Sequence, residues 1–154
     1  MLGNKLIGPF VFDNNLTGNA YEVFLRNELP GLLEDIPLMI RSKMYFQHDG
    51  ALPHYTRNVR DYLNESFPNR WLGRGGPVAW PPRSPDLTPL DFYLRGHMKT
   101  LVYENKVDSR TALRYPIFAA AEHIRSHPSL ASATQSLFMR AENCIAAGGG
   151  HLEQ

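Results

Sequence analysis

The sequence has little of what disulfide-linked and membrane proteins need. It contains a single cysteine, Cys144, which cannot form a disulfide within the chain, so we expect a fold held by its core in a reducing compartment. The longest apolar runs, such as residues 117–121, are far shorter than the roughly 20 residues of a membrane-spanning helix. No basic stretch leads into an apolar block at the N-terminus, so neither a cleaved leader nor a membrane partner is expected.

An excess of positive or of negative charge is also nearly absent. The 154 residues include 16 Lys and Arg against 15 Asp and Glu, a formal net charge of +1 that excludes a polycation or an acidic tail. The length suits one ordinary globular domain. Twelve prolines and twelve glycines indicate that loops take up much of this domain.

The basic residues that are present cluster in one part of the chain. Residues 41–110 carry eleven basic and seven acidic side chains, and most of the excess is arginine. A planar guanidinium matches phosphate oxygens, so this segment is either a nucleic-acid contact or an ordinary solvated surface. The candidate DNA-binding residues are Arg57, Arg60, Arg70, Arg74 and Arg83.

Hydrophobic spacing predicts a mixture of strands and helices. Thr17 is a candidate cap for the first helix, and Pro30 is expected to end it. Segment 73–89 is too rich in proline and glycine for a long regular element. Strands are predicted at 5–12, 44–47 and 78–80, and helices at 17–29, 55–67, 90–101, 112–126 and 129–147. This order of elements indicates an α/β fold.

Two stretches carry aspartates in a distinctive setting. Residues 46–54 read Phe-Gln-His-Asp-Gly-Ala-Leu-Pro-His, and residues 80–93 contain Ser-Pro-Asp-Leu-Thr-Pro-Leu-Asp. These motifs resemble the catalytic core of mariner-type transposases of the DDE/D superfamily. Asp49 matches the middle catalytic carboxylate of that family, and Asp91, rather than Asp86, matches the last. The resemblance covers nearly the whole chain and extends to residues 6–12, 67–71, 73–77 and 144–151.

The resemblance implies an RNase H-like nuclease and strand-transferase domain that acts on DNA in the nucleus. Such a domain uses Mg²⁺ or Mn²⁺, and Asp49 and Asp91 are then both its catalytic residues and its metal ligands in this chain. Two divalent ions about 3.5–4 Å apart can activate an attacking oxygen and stabilise a leaving oxygen. Carboxylate oxygens suit these hard cations. DNA is therefore the implied partner, and DNA cleavage with strand transfer is the implied ancestral activity.

The resemblance also implies that part of the family domain is missing. The family's third carboxylate lies on an earlier strand, upstream of the first residue of this chain. The strands at 5–12 and 44–47 correspond to the third and fourth of the family's sheet, so we expect a partial RNase H-like fold, a mixed sheet lacking its first two strands, with C-terminal helices. Residues 1–154 are thus expected to be a truncated catalytic domain, with a core remnant at 1–107 and C-terminal helices at 108–154. Catalysis by this chain alone is not expected.

Two functions of different classes stay open at this point. In one, the chain is a transposase-derived remnant that binds DNA weakly and without sequence preference. In the other, it is a non-catalytic interaction module or a non-functional translated fragment that self-associates through exposed apolar surface. His48 and His54 are alternative metal ligands, but a structural role is favoured because no cysteine or carboxylate lies at zinc spacing. Three positions depart from the family pattern: Leu52 replaces a proline, His48 a glutamine and Arg95 a tryptophan.

Overall fold

The computed structural model describes residues 1–80, 84–104, 109 and 111–149 of the chain. The chain divides into two compact units. One, which we call the strand unit, is Phe12–Arg83, and the other, the helical unit, combines Met1–Val11 with Ser84–Gln154. The predicted boundary between residues 107 and 108 lies outside the described residues.

The strand unit begins with a helical segment that spans residues 18–32. It consists of α1 (Gly18–Val23), a π-helical turn (Phe24–Glu28) and α2 (Leu29–Leu32). The predicted cap is confirmed, because Thr17 Oγ1 accepts a hydrogen bond from the Ala20 N–H at 3.2 Å. The prediction that Pro30 ends the helix is wrong. Pro30 lies in the first turn of α2, where a helix tolerates the missing N–H, so the chain stays helical through Leu32.

The strand unit contains a small parallel sheet, and its first strand ends shortly before the first candidate aspartate. Strand β1 (Phe46–Gln47) pairs with β2 (Trp71–Leu72), with Phe46 opposite Trp71 and Gln47 opposite Leu72. The position of β1 confirms the second half of the strand predicted at 44–47. β2 is missing from the sequence-based prediction, and the strand predicted at 78–80 is reduced to an isolated bridge between Leu72 and Val78.

The other elements of the strand unit are helical. They are α3 (Leu38–Arg41), a 3₁₀ turn (Leu52–Tyr55) and α4 (Arg57–Ser66). α4 confirms the helix predicted at 55–67, and its Val59, Tyr62 and Leu63 are buried at helical spacing. Trp71 is fully buried, and its indole N–H donates to Asn64 Oδ1 at 2.9 Å. The strand unit therefore has an aromatic core in which the buried polar group of Trp71 is satisfied.

The strand predicted at residues 5–12 is wrong. Residues 6–12 are irregular, and the nearest pairing is an isolated bridge between Leu2 and Lys5. Gly8 has a φ of +81°, outside the extended region, and Pro9 has no N–H to give to a neighbouring strand. The apolar composition of this stretch is typical of a strand, but its backbone cannot form a regular ladder.

The helical unit is built from a series of helices. They are a 3₁₀ turn (Pro85–Leu87), a π-helical segment (Leu90–Arg95), α5 (Gly96–Val102), α6 (Arg114–Arg125) and α7 (Ser129–Ala146). All three helices predicted in this region are confirmed. Ile124 and Leu130 are fully buried, and the buried Ala120, Ala121 and Ala133 let the helices approach closely. Among the described residues, no helix is both long enough and apolar enough to cross a bilayer.

The first residues of the chain are tied to the last two helices. The guanidinium of Arg125 on α6 donates to the backbone carbonyls of Leu6 and Gly8. The hydroxyl of Thr134 on α7 donates to the Gly3 carbonyl at 2.9 Å. These bonds satisfy carbonyl groups that have no strand partner, so the segment is held by side chains in place of a sheet.

Candidate functional site

Asp49 lies in the turn directly after β1. Its Oδ1 accepts a hydrogen bond from the Ala51 N–H at 3.0 Å, which is the local bond that aspartate commonly makes in turns. The same oxygen lies 2.6 Å from Nδ1 of His54, which the 3₁₀ turn after the loop brings back towards it. The side chain is 54% exposed. Because both contacts use Oδ1, the second oxygen is directed to neither of these groups.

The surroundings of Asp49 keep it ionised. Partial burial raises the pKa of Asp49, but the hydrogen bonds from Ala51 and the His54 ring lower it more, so the pKa lies below its ordinary value. A carboxylate that is charged at neutral pH and partly exposed has the chemistry required of a ligand for Mg²⁺ or Mn²⁺. Sequence reasoning left His54 in a structural role. His54 is the last residue of the motif that contains Asp49, but no spacing in that motif indicated this contact.

His48 is a buried neighbour of Asp49. Its ring stacks on His54 with centroids 5.4 Å apart and meets Trp71 edge-on at 5.5 Å. Burial, reinforced by His54 and opposed by Asp49, lowers the pKa of His48 to about 4. The ring is therefore neutral at pH 7. A side chain at Gly73 would overlap it, so glycine is required there for packing.

Asp91 lies at the start of the π-helical segment of the helical unit. Its backbone N–H donates to the Thr88 carbonyl at 2.8 Å, which fixes it in the first turn. Oδ1 of Asp91 is 3.1 Å from the guanidinium of Arg95, four residues later. Arg95 is one of the departures from the family pattern. It places a cation on the carboxylate that the resemblance assigns to metal.

The two aspartates belong to different units. The contacts described for each aspartate are with residues of its own unit. Each has a partner that sequence reasoning did not assign: His54 for Asp49 and Arg95 for Asp91. Across the described parts of the chain, no group of three His, Cys, Asp or Glu side chains is placed to hold a metal ion. The assignment of Asp49 and Asp91 as catalytic and metal-binding residues stays a prediction from the resemblance.

Two of the predicted DNA-binding arginines are engaged within the strand unit. Arg70 donates to the backbone carbonyls of Met44 at 3.0 Å and Arg41 at 3.4 Å, so it fastens the segment that leads into β1. Arg57 is exposed and lies 3.7 Å from Asp61, one turn along α4. Both remain predicted DNA contacts, and Arg83 lies outside the described residues.

Arg60 and Arg74 form a different arrangement around Tyr55. Their guanidinium carbons lie 4.7 Å and 4.2 Å from the centre of the Tyr55 ring. Such cation–π contacts orient a guanidinium without neutralising it. Gly75, with a φ of +74°, lets the backbone turn beside the ring, where a side chain would meet Tyr55 and Arg60. We call Tyr55, Arg60 and Arg74 the Tyr55 clamp.

The Tyr55 clamp lies beside the loop that carries Asp49. A methyl group placed at Gly50, the residue after Asp49, would be in ordinary contact with Arg74, 3.8 Å from its Cβ. Within the described residues, neither Arg60 nor Arg74 is paired with a carboxylate, and the buried Nε of Arg60 has no hydrogen-bond partner. The clamp therefore places two positive charges that have no carboxylate partner beside the loop that carries Asp49.

The helix-rich chain with its small parallel sheet matches solved structures of an RNase H-like fold of the transposase type. The chain has the fold of a mariner transposase catalytic domain, which confirms the resemblance read from its motifs. No protein-family model matches the sequence, and no curated protein matches it.

Among solved structures, the chain is similar to the Mos1 mariner transposase. Its catalytic domain, solved with raltegravir and manganese, matches with a TM-score of 0.72 and 25% sequence identity over 92% of this chain and 68% of that one. The same domain with raltegravir and magnesium gives 0.72 and 24%, covering 92% of this chain and 67% of the other. A further structure of the domain gives 0.71 and 24%, over 92% and 66%.

Proposed function

We propose that this transposase-derived chain binds DNA through phosphate contacts and that Asp49 and Asp91 are ligands for a divalent metal ion, as the resemblance implies. The Tyr55 clamp is the observation that carries the DNA part. Its two guanidiniums are preoriented on an aromatic ring and have no carboxylate partner, so phosphate oxygens are suitable ligands for them. The nucleus is the proposed location because DNA is the proposed partner.

The metal part rests on the donor chemistry of the two aspartates. Asp49 is ionised and uses one oxygen in its own loop, and Asp91 needs only to release an exposed guanidinium. The similar Mos1 domains were solved with manganese and with magnesium, which supports a hard divalent cation as the ligand. A bound ion would supply charge neutralisation for a nearby phosphate. DNA cleavage is left out of the proposal, because the resemblance assigns only two of the family's three carboxylates to residues of this chain.

The affinity for a short DNA duplex at several salt concentrations tests the DNA part. For B-DNA, the slope of log K against log salt is about −0.9 per phosphate contact, so we expect Arg60→Gln and Arg74→Gln each to reduce the slope by about 1. Lys99→Gln is the matched control, because it removes one exposed positive charge from the helical unit. A binding curve that does not respond to salt, or an equal effect of Lys99→Gln, contradicts the proposal.

A second candidate function is self-association, which one surface favours. Leu38, Met39 and Ile40 of α3 are consecutive and 73%, 72% and 46% exposed. Leu38 and Met39 line an open depression together with Arg41 and Ser42. Apolar residues exposed side by side are typical of protein contacts. Sedimentation at increasing concentration without DNA tests this, and Met39→Glu is expected to abolish any dimer while leaving DNA affinity unchanged.

A further inference from the structure

The two guanidinium groups of the Tyr55 clamp lie close enough to share one ligand. Their carbons are 4.7 Å and 4.2 Å from the centre of the Tyr55 ring, so the carbons of Arg60 and Arg74 are at most about 9 Å apart. A phosphate that accepts N–H···O⁻ bonds of about 2.7–2.9 Å has its phosphorus roughly 4 Å from a guanidinium carbon. One phosphate held between the two arginines therefore needs a span of roughly 8 Å, which is within this limit.

A tight turn supplies further donors beside the clamp. It is closed by the Gly76 N–H, which donates to the Gly73 carbonyl at 3.1 Å. Arg74 and Gly75 lie in the middle of the turn, and both are exposed. Within the part of the chain that the structure describes, the backbone N–H groups of these two residues make no hydrogen bond. A methyl group on Gly75 would lie 3.3 Å from Cδ of Arg60, so this backbone is next to the other arginine of the clamp.

These donors match a phosphate monoester better than a phosphate inside a strand. A monoester has three free oxygens and a charge of about −1.5 to −2 at pH 7. A phosphate inside a DNA strand has a single negative charge. The clamp has two positive charges that no carboxylate neutralises among the described residues, and the buried Nε of Arg60 has no hydrogen-bond partner there. Both the charge and the number of donors therefore favour the monoester.

We propose that the Tyr55 clamp is a phosphate-monoester site and that its ligand is the terminal phosphate of a DNA strand. The proposal rests on the DNA binding proposed above and names the part of the DNA that this site takes. Arg60 and Arg74 each bind oxygens of the phosphate, and the turn N–H groups are donors for the remaining oxygen. The Tyr55 ring holds both guanidiniums before DNA arrives, so less side-chain entropy is lost on binding. A 5′-phosphate and a 3′-phosphate share this chemistry.

Fluorescence anisotropy with four versions of one short duplex tests the proposal. The strand ends carry a 5′-phosphate, a 3′-phosphate, the methyl ester of the 5′-phosphate, or hydroxyl groups alone. Hydrogen bonds to charged groups are strong enough that we expect a phosphorylated end to bind about tenfold more tightly than the hydroxyl ends. The methyl ester has one charge less than the 5′-phosphate and should lose most of that gain. The comparison of the 5′-phosphate with the 3′-phosphate identifies the end that the clamp takes.

Variants of the clamp should change the preference for phosphorylated ends. Arg60→Gln and Arg74→Gln are each expected to remove most of it, because one guanidinium alone cannot match a dianion. Lys43→Gln is the matched control, because it removes an exposed positive charge from the strand unit outside the clamp, and it should keep the preference. The preference is a ratio of two affinities of one variant, so a partly unfolded sample leaves it unchanged. Equal affinity for all four duplexes, or a preference that persists in both arginine variants, overturns the proposal.

Thymidine 5′-monophosphate provides a second readout that does not depend on duplex binding. Isothermal titration should show that it binds the unmodified chain more tightly than thymidine does, and that Arg74→Gln removes this difference. Nucleotide binding that needs the arginine supports the monoester site even where no duplex binds, and the proposed DNA binding is then what fails. Salt-dependent duplex binding without any preference for phosphorylated ends leaves the DNA binding in place and overturns the assignment of the clamp.

Discussion

The aspartates of the strand unit and the helical unit have partners of different kinds. Asp49 has hydrogen-bonding neighbours in its own loop, and Asp91 has a charged guanidinium. In the strand unit, Asp49 receives hydrogen bonds from Ala51 and His54 of its own loop, and they hold its pKa below the ordinary value. In the helical unit, Asp91 faces the guanidinium of Arg95, 3.1 Å away. A fixed cation competes with a metal ion for the carboxylate, whereas a hydrogen bond to one oxygen leaves the other available. Asp49 and Asp91, each in a motif that resembles the family pattern, therefore differ in how available their carboxylate oxygens are to a metal ion.

The cores of the two units differ as well. The strand unit surrounds Trp71 and His48 with aromatic rings, so its packing depends on a few large side chains and on the glycines against them. The helical unit packs alanines around Ile124 and Leu130. Substitutions in an aromatic core leave larger voids than those in a core of small residues.

The largest expected effect comes from Trp71→Ala in the strand unit. Trp71 is fully buried and its N–H is bonded to Asn64, so truncation leaves a cavity and an unsatisfied amide. We expect the free energy of unfolding to fall by about 3–5 kcal/mol, as in other buried aromatic truncations. Urea denaturation measures this. Ala133→Gly in the helical unit removes one methyl group and is expected to cost much less, and equal losses would contradict the contrast between the cores.

The next effect concerns pH and His48. Its pKa of about 4 in the folded chain lies below the ordinary value of 6.5, so the unfolded chain binds more protons between these values. Stability should therefore be complete above pH 6.5 and fall by up to about 3 kcal/mol as the pH drops to 4. Thermal melting in metal-free buffer measures the change. His48→Gln, which has no charge to gain, should flatten the dependence over this window.

Two glycine-to-alanine substitutions should change the free energy of unfolding in opposite directions. In Gly73→Ala, the new methyl group would overlap the His48 ring and lie 3.2 Å from the His48 carbonyl oxygen, so we expect a loss of about 1–3 kcal/mol. In Gly96→Ala, the methyl group meets nothing within 4 Å at the start of α5. Helix propensity then predicts a gain of about 0.5–1 kcal/mol. Chemical denaturation of both variants compares them, and a stabilised Gly73→Ala would refute the packing described for His48.

Metal binding tests the aspartates directly. Mn²⁺ should raise the melting temperature of the chain, because a ligand that binds the folded state stabilises it by mass action. Asp49→Asn should remove most of this rise, and the double variant with Asp91→Asn should remove all of it. Asp13→Asn is the control for a general loss of negative charge in the strand unit. A rise that persists in the double variant would place the ion elsewhere.

The smallest effect is expected from Arg95→Gln. An exposed ion pair four residues apart on a helix contributes about 0.3–0.5 kcal/mol, so its removal should strengthen Mn²⁺ binding roughly twofold. Isothermal titration of Mn²⁺ into both chains measures this. Arg114→Gln, on the first turn of α6, is the control for net charge. Weaker Mn²⁺ binding in Arg95→Gln would show that the guanidinium supports the site and does not compete with the ion.

Local patterns predicted the helices well and the strands poorly. α4, α6 and α7 have apolar residues at helical spacing over ten residues or more, and each lies where that spacing indicates. β2 has only two residues, too few for any alternation to be visible. Residues 5–12 have the composition of a strand, but the positive φ of Gly8 prevents a regular ladder.

The site was predictable only as far as its motifs reach. The family resemblance identified Asp49 and Asp91, but no spacing indicated that His54 would return to Asp49 across a 3₁₀ turn. The convergence of Arg60 and Arg74 on Tyr55 depends on the backbone turn at Gly75. Contacts of this kind depend on tertiary structure, so the spacing of residues in the sequence does not predict them.

The bonds from Arg125 to Leu6 and Gly8 have a consequence for synthesis on the ribosome. The partners are 119 and 117 residues apart, so the first segment of the chain leaves the ribosome long before the helix that holds it. At about 5–20 residues per second, this segment waits roughly 6–24 seconds without its partner. The strand unit is made entirely within that interval. The helical unit, although it contains the first residues, is therefore the last to be completed in the cell.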